Sequence, residues 1–228
     1  MKKTRDTIAY SIIGAVRPIL KQTDYIDIRD VREWVKDERN NLAKQQIDKN
    51  IPFIPKPFLQ TETVAITSIE KSIKYPGLVL KKTSGMPSIL TMRGGLAIDN
   101  ISLRDIFADK ITFLENTATL ISYVNSIRFK TSSSPKMYCA IAGGELIVAS
   151  NDSILLDSLE NLHITAVFEN PEEISTFTVN TDQYPIADSL IPMLFNKIVQ
   201  EKYGISMANM QDDTNDESHS LKFKTTGQ

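Results

Sequence analysis

Hydrophobic residues recur every three or four positions through the first fifty residues and every second position after about residue 60, which predicts helices followed by strands. Ile8, Ile12, Ala15, Val16 and Ile19 mark one face of a first helix, which Pro18 ends or kinks. Asp27 is an N-cap candidate, and Asp30 favours the first turn that follows. Ile28, Val31, Val35 and Leu42 then trace an apolar stripe, broken by Glu38, along a helix predicted over residues 27–47. Arg29, Arg32, Lys36, Asp37, Arg39 and Lys44 occupy its other faces. Such a helix buries one seam, against a neighbouring subunit or against its own domain.

Residues 51–60 carry three prolines, each lacking a backbone donor and forcing its predecessor towards extended geometry, so they read as a connector. Strands are predicted from Thr61 to Ile69 and from Leu78 through Val79 and Leu80 into Lys81-Lys82-Thr83. Two paired-glycine turns follow. Gly94-Gly95 is flanked by residues 89–92 and 96–98, and Gly143-Gly144 by residues 137–142 and 145–149; both read as hairpins, because glycine accepts the positive φ of tight primed turns. Residues 117–126 suggest a short helix before a strand at 126–130, and residues 164–168 a further strand ending at Pro171. A last helix is expected over 187–202, with Pro192 in its first turn and Gly204 as its stop. The fold class is therefore α+β: an N-terminal helical arm (1–50), a proline-rich connector (51–60), a central antiparallel β-rich body with hairpins (61–186), a C-terminal helix (187–204) and a polar, acidic tail (205–228).

Charge adds a gradient to this picture. The net charge of −2 over 228 residues hides +3 in residues 1–50, +4 in 51–150 and −9 in 151–228. A uniformly basic nucleic-acid binder is disfavoured and a polarised object with one acidic end favoured. No run reaches the roughly 18 apolar residues needed to cross a bilayer. The stretch 8–20 is interrupted by Tyr10, Ser11, Arg17 and Pro18, so no signal peptide is expected. The expected setting is one where thiols stay reduced.

Candidate chemistry is sparse. One cysteine, Cys139, excludes an internal disulfide framework and a multi-cysteine zinc site. Its place among Tyr138, Ala140 and Ile141 reads as core rather than nucleophile. His163 and His219 are far apart in sequence. The glycine pairs lack the Lys-Ser/Thr or third glycine of phosphate loops, and no Gly-x-Ser-x-Gly elbow occurs. The acidic run at 212–217 fails as a calcium loop in two registers, since Glu217 and Phe223, or Ser218 and Lys224, stand where glycine and glutamate are required. Neither a cofactor nor a metal is expected. Trp34 is an anchor candidate if the long helix lies at a subunit boundary.

The order of these signals resembles the virion structural proteins of crAss-like podoviruses, which form head–tail connector rings between portal and tail. The residues carrying the resemblance are Asp24-Tyr25-Ile26-Asp27 ahead of a charged helix with Arg29, Arg39 and Gln45-Gln46-Ile47-Asp48-Lys49; Lys81-Lys82-Thr83 followed by Pro87; and Ala142-Gly143-Gly144-Glu145-Leu146. Further on come Val167-Phe168-Glu169-Asn170-Pro171-Glu172-Glu173, Tyr184-Pro185-Ile186 and Asp212-Asp213-Thr214-Asn215-Asp216. One departure is Gln60-Thr61-Glu62-Thr63, where related chains carry a Gly-Cys-containing stretch.

The resemblance implies a non-enzymatic subunit of the virion, at the portal vertex and tail, assembled in the host cytoplasm without a membrane. Its partners would be about twelve copies of itself in a ring closed by a head-to-tail interface, the portal protein, and neighbouring ring or tail proteins. Contact with genome DNA in the channel would be passive. Val31, Trp34, Val35, Arg39 and Leu42 are the expected subunit interface. Asp212, Asp213, Asp216 and Glu217 are the expected channel- or partner-facing acids, repelling phosphate rather than releasing its counterions. The alternatives are another virion component, capsid-associated or internal to the tail, and, from other classes, a small hydrolase or a β-rich binding module.

Overall fold

The computed structural model describes residues 3–20, 25–49, 53–69, 80–93, 95–103, 111–114, 118–120, 122, 137–150 and 153–204. Its contacts divide the chain into two compact units, one formed by residues 1–46 with 178–228 and the other by residues 47–177.

The first unit is helical. Helix α1 (Arg5–Val16) starts at Thr4, whose side chain accepts from the Thr7 amide at 3.2 Å. Ile8, Ala9, Ile12 and Val16 form its buried face. Ile19, expected on that face, is exposed, because the helix ends before Pro18 and the stripe ends with it. Helix α2 (Ile28–Lys49) follows Asp27, whose Oδ1 accepts from the Arg29 amide at 2.8 Å. Arg32 clamps Asp6 through two parallel bonds of 2.8 and 2.7 Å, joining α2 to the first turn of α1. The chain returns to this unit after residue 177.

In this division residues 178–186, which the linear partition placed with the strands, go with the N-terminal helices. The Tyr184 amide donates to the Lys3 carbonyl at 3.0 Å, and Tyr184, Pro185 and Ile186 are buried. A single turn of 3-10 helix (Asp188–Leu190) leads into the C-terminal helix, Ile191–Tyr203, numbered α4 below. Gly204 ends it in the left-handed region at φ 66°, its amide bonded to the Gln200 carbonyl. Ile191, Leu194, Ile198 and Val199 are the buried face, and the helix packs on α1.

The second unit is a mostly antiparallel sheet. Among the described residues its strands are β1 (Gln60–Ser68), β2 (Leu80–Thr83), β5 (Ile98–Ser102), β6 (Thr112–Phe113), β7 (Met137–Ala142), β8 (Glu145–Ser150) and β9 (Asn161–Ala166), in the order β5-β9-β1-β2-β8-β7-β6. Among these described strands only β6 and β7 run parallel. A separate two-stranded ribbon joins β3 (Thr91–Met92) to β4 (Gly95–Leu96). The hairpin expected there is shorter than its sequence suggests, because Ile89 bridges to Phe168 and Ile98 pairs with Ala166 instead. The β7–β8 hairpin stands as expected, turning on Gly143 and Gly144 at φ 62° and 81°. The strand expected at 164–168 lies earlier, as β9. The short helix expected at 117–126 has residues 118–120 and 122 helical, and the strand expected at 126–130 lies outside the described residues.

Strand β1 serves two partners, β9 through its first six residues and β2 through its last three. Its inward positions are Glu62, Val64 and Ile66, with Thr63, Ala65 and Thr67 outward. Val64 and Ile66 join Cys139, Leu146, Val148, Leu162, Ile164 and Phe168 in one core. On the far side of β7 and β8, Tyr138, Ala140 and Ala149 pack with Leu120, so this hairpin is covered on both faces. The opposite face of β1 and β9 is polar, with Thr61 bonded to Thr165 at 2.9 Å and Thr63 to His163 at 3.0 Å. Lys81 turns inward from β2 and donates to the carbonyls of Asp157 and Leu159 at 2.9 and 2.7 Å, holding the end of the short helix α3 (Ser153–Asp157). Glu62 accepts from both the amide and the hydroxyl of Ser175 at 2.6 and 2.7 Å.

Candidate assembly interface

The residues expected at a subunit boundary divide once the structure is in view. Val31, Val35 and Arg39 are fully buried and Leu42 is 1% exposed, all within a single copy of the chain. The stripe of α2 is thus covered within its own chain, one of the two readings its pattern left open. Glu38 does not break the stripe but extends it. Its carboxylate is buried and meets Lys197 of α4 at 2.9 Å, so charged positions count as interior when a partner from residues 178–204 reaches them. Arg39 donates from Nε to the Pro185 carbonyl at 3.1 Å and from Nη1 to Asn40 at 2.9 Å. Burial pulls its guanidinium down to about 10, partly opposed by Tyr184, and it stays charged at neutral pH.

Trp34 is half-buried. Its ring meets Tyr203 edge-on, with centroids 5.8 Å apart, and Lys202 lies 5.6 Å from its centroid. Burial, with Asp30 nearby, raises the Tyr203 phenol above its ordinary value. The outward face of α2 is instead Asp30, Glu33, Asp37, Asn41, Gln45 and Asp48. Asp212, Asp213, Asp216 and Glu217 lie outside the described residues.

The surface offers other apolar contacts. In the helical unit Tyr10, Tyr25 and Met193 are exposed; in the sheet unit Phe53, Phe113 and Ile154 are. The sheet unit also carries a groove of ≈ 270 Å³ between the β7–β8 turn and residues 86–91. Sequence reading missed it, because its lining comes from four separate stretches of chain. Cys139 is buried, its thiol pushed up to about 12 by desolvation, which leaves it protonated and unreactive at neutral pH. Among the described residues no three His, Cys, Asp or Glu side chains converge as metal ligands, and no helix is long and apolar enough to cross a membrane.

The family model described as phage tail ring protein 2 matches residues 7–221, nearly the whole chain. The chain belongs to that family. No curated protein matches it. As a phage tail ring protein it is a structural component of the virion, and its contacts are to be sought with copies of itself and with neighbouring virion proteins. The α+β architecture is the frame that presents those surfaces, one helical and one sheet-based.

Proposed function

We propose that this ring protein is a non-enzymatic connector subunit, closing head to tail into a ring of about twelve copies between portal and tail around the channel for genome DNA. The family match over residues 7–221 carries the reading. The fate of the best candidate nucleophile agrees with it. Cys139 is spent on packing, and His163 on a cross-strand bond to Thr63.

In this reading the acidic C-terminal third faces the channel or a basic neighbouring ring, where Asp212, Asp213, Asp216 and Glu217 keep phosphate from sticking. Particle imaging is the deciding experiment. Density for a closed ring of this chain beside the portal is the expected result; its absence from purified virions overturns the proposal. Replacing the four acids by their amides is expected to slow DNA passage or weaken ring stacking. Unchanged assembly and unchanged DNA retention would remove the channel role.

A further inference from the structure

We infer that Phe53 of one copy seats in the apolar groove of the next copy, with Lys56 facing Glu169, as a knob-and-hole contact between sheet units. The inference rests on the ring reading above and adds the residues of one subunit contact.

The knob is an exposed projection. Phe58, five residues after Phe53, is fully buried, and a single 3-10 turn (Lys56–Phe58) locks it to the start of β1. Pro55 sits in the extended region at φ −63° and ψ 126°, and Pro57 follows, so the backbone between Phe53 and Phe58 is restricted. Phe53 is 76% exposed, although phenylalanine gains most from burial. Lys56, on the same short segment, is exposed.

The hole is lined by Met86, Pro87, Ile89, Leu96 and Ile141, with the polar Ser88, Thr91 and Glu169 also at its wall. Its ≈ 270 Å³ falls below the roughly 300 Å³ at which small-molecule pockets begin. An apolar cavity of about 150 Å³ already holds one benzene ring. The space is large enough for a single aromatic side chain. The charges match in sign, a cation beside the knob and an anion beside the hole. Knob and hole both belong to residues 47–177, so every copy carries one of each, the requirement for a head-to-tail contact that propagates around a ring.

Cross-linking between two differently marked copies tests this. Phe53→Cys is prepared with an affinity tag and Ser88→Cys, at the groove, without one. The two are mixed, assembled alone or on portal, and mildly oxidised; the native Cys139 is buried and does not compete. Tagged–untagged disulfide dimers are expected well above those from a Tyr25→Cys control. Dimers no more abundant than the control, in preparations that do form rings, overturn the contact and leave the ring reading standing. A chain that stays monomeric with its virion neighbours overturns both.

Phe53→Ser should weaken self-association at least tenfold with an unchanged melting temperature, while Phe53→Leu retains most of it. If Phe53→Ser assembles normally but Ile141→Glu does not, the groove takes another partner and the contact with Phe53 is refuted.

Discussion

The Nε of Arg39 donates to the carbonyl of Pro185 across 146 residues of chain, at 3.1 Å and wholly out of solvent. That bond ties the long N-terminal helix to the segment entering the C-terminal one. Arg39→Ala is expected to cost about 2–4 kcal/mol, because it leaves a buried carbonyl without its donor and a void where the side chain was. Arg39→Met fills the void without a buried charge and should cost less. Urea midpoints of the two variants check the order.

Lys81 makes the corresponding anchor in the sheet unit. Its ammonium serves the carbonyls of Asp157 and Leu159 together. Lys81→Met keeps the aliphatic volume but orphans both acceptors, an expected loss of about 1–3 kcal/mol. Hydrogen exchange should speed up first at the end of α3, where those carbonyls lie.

The Cys139 thiol gives stability a dependence on alkaline pH. Its pKa rises from 9.0 to about 12 in the folded chain. Below the lower value both states hold the proton and the contribution is complete. As pH climbs through the window the unfolded state loses its proton first, so stability falls. Tyr203, also raised, pulls the same way. Cys139→Ala is therefore expected to shrink the loss of urea stability between about pH 8 and about pH 11 while lowering stability at neutral pH. A thiol reagent at mildly alkaline pH should modify the wild type only at its unfolding rate.

Gly14 lies inside α1 with open space where a Cβ would stand. Gly14→Ala should raise stability by about 0.5–1 kcal/mol, since alanine loses less backbone entropy on entering a helix. The thermal midpoint of the single variant measures it.

Much of the secondary structure was legible from short-range pattern. Asp27 as a cap, Gly143-Gly144 as a primed turn and Gly204 as a helix stop are local demands on φ and on orphan amides, and neighbouring residues suffice to state them. What covers the stripe of α2 was not legible, for the opposite reason. Val31, Val35 and Leu42 announce a buried stripe, but a stripe does not say what buries it, and residues 178–204, far away in sequence, supply partners for Glu38 and Arg39 in the same copy.

What the amino-acid order determined alone was the α+β class, most helices and hairpins, and the buried place of Cys139, because periodicity and turn chemistry act over a few residues. Tertiary structure decided that the first and last helices share one unit, that β1 divides its ladder between β9 and β2, and that four stretches of chain line a groove. Those outcomes depend on which distant segments exclude water together, a property of no single window of sequence.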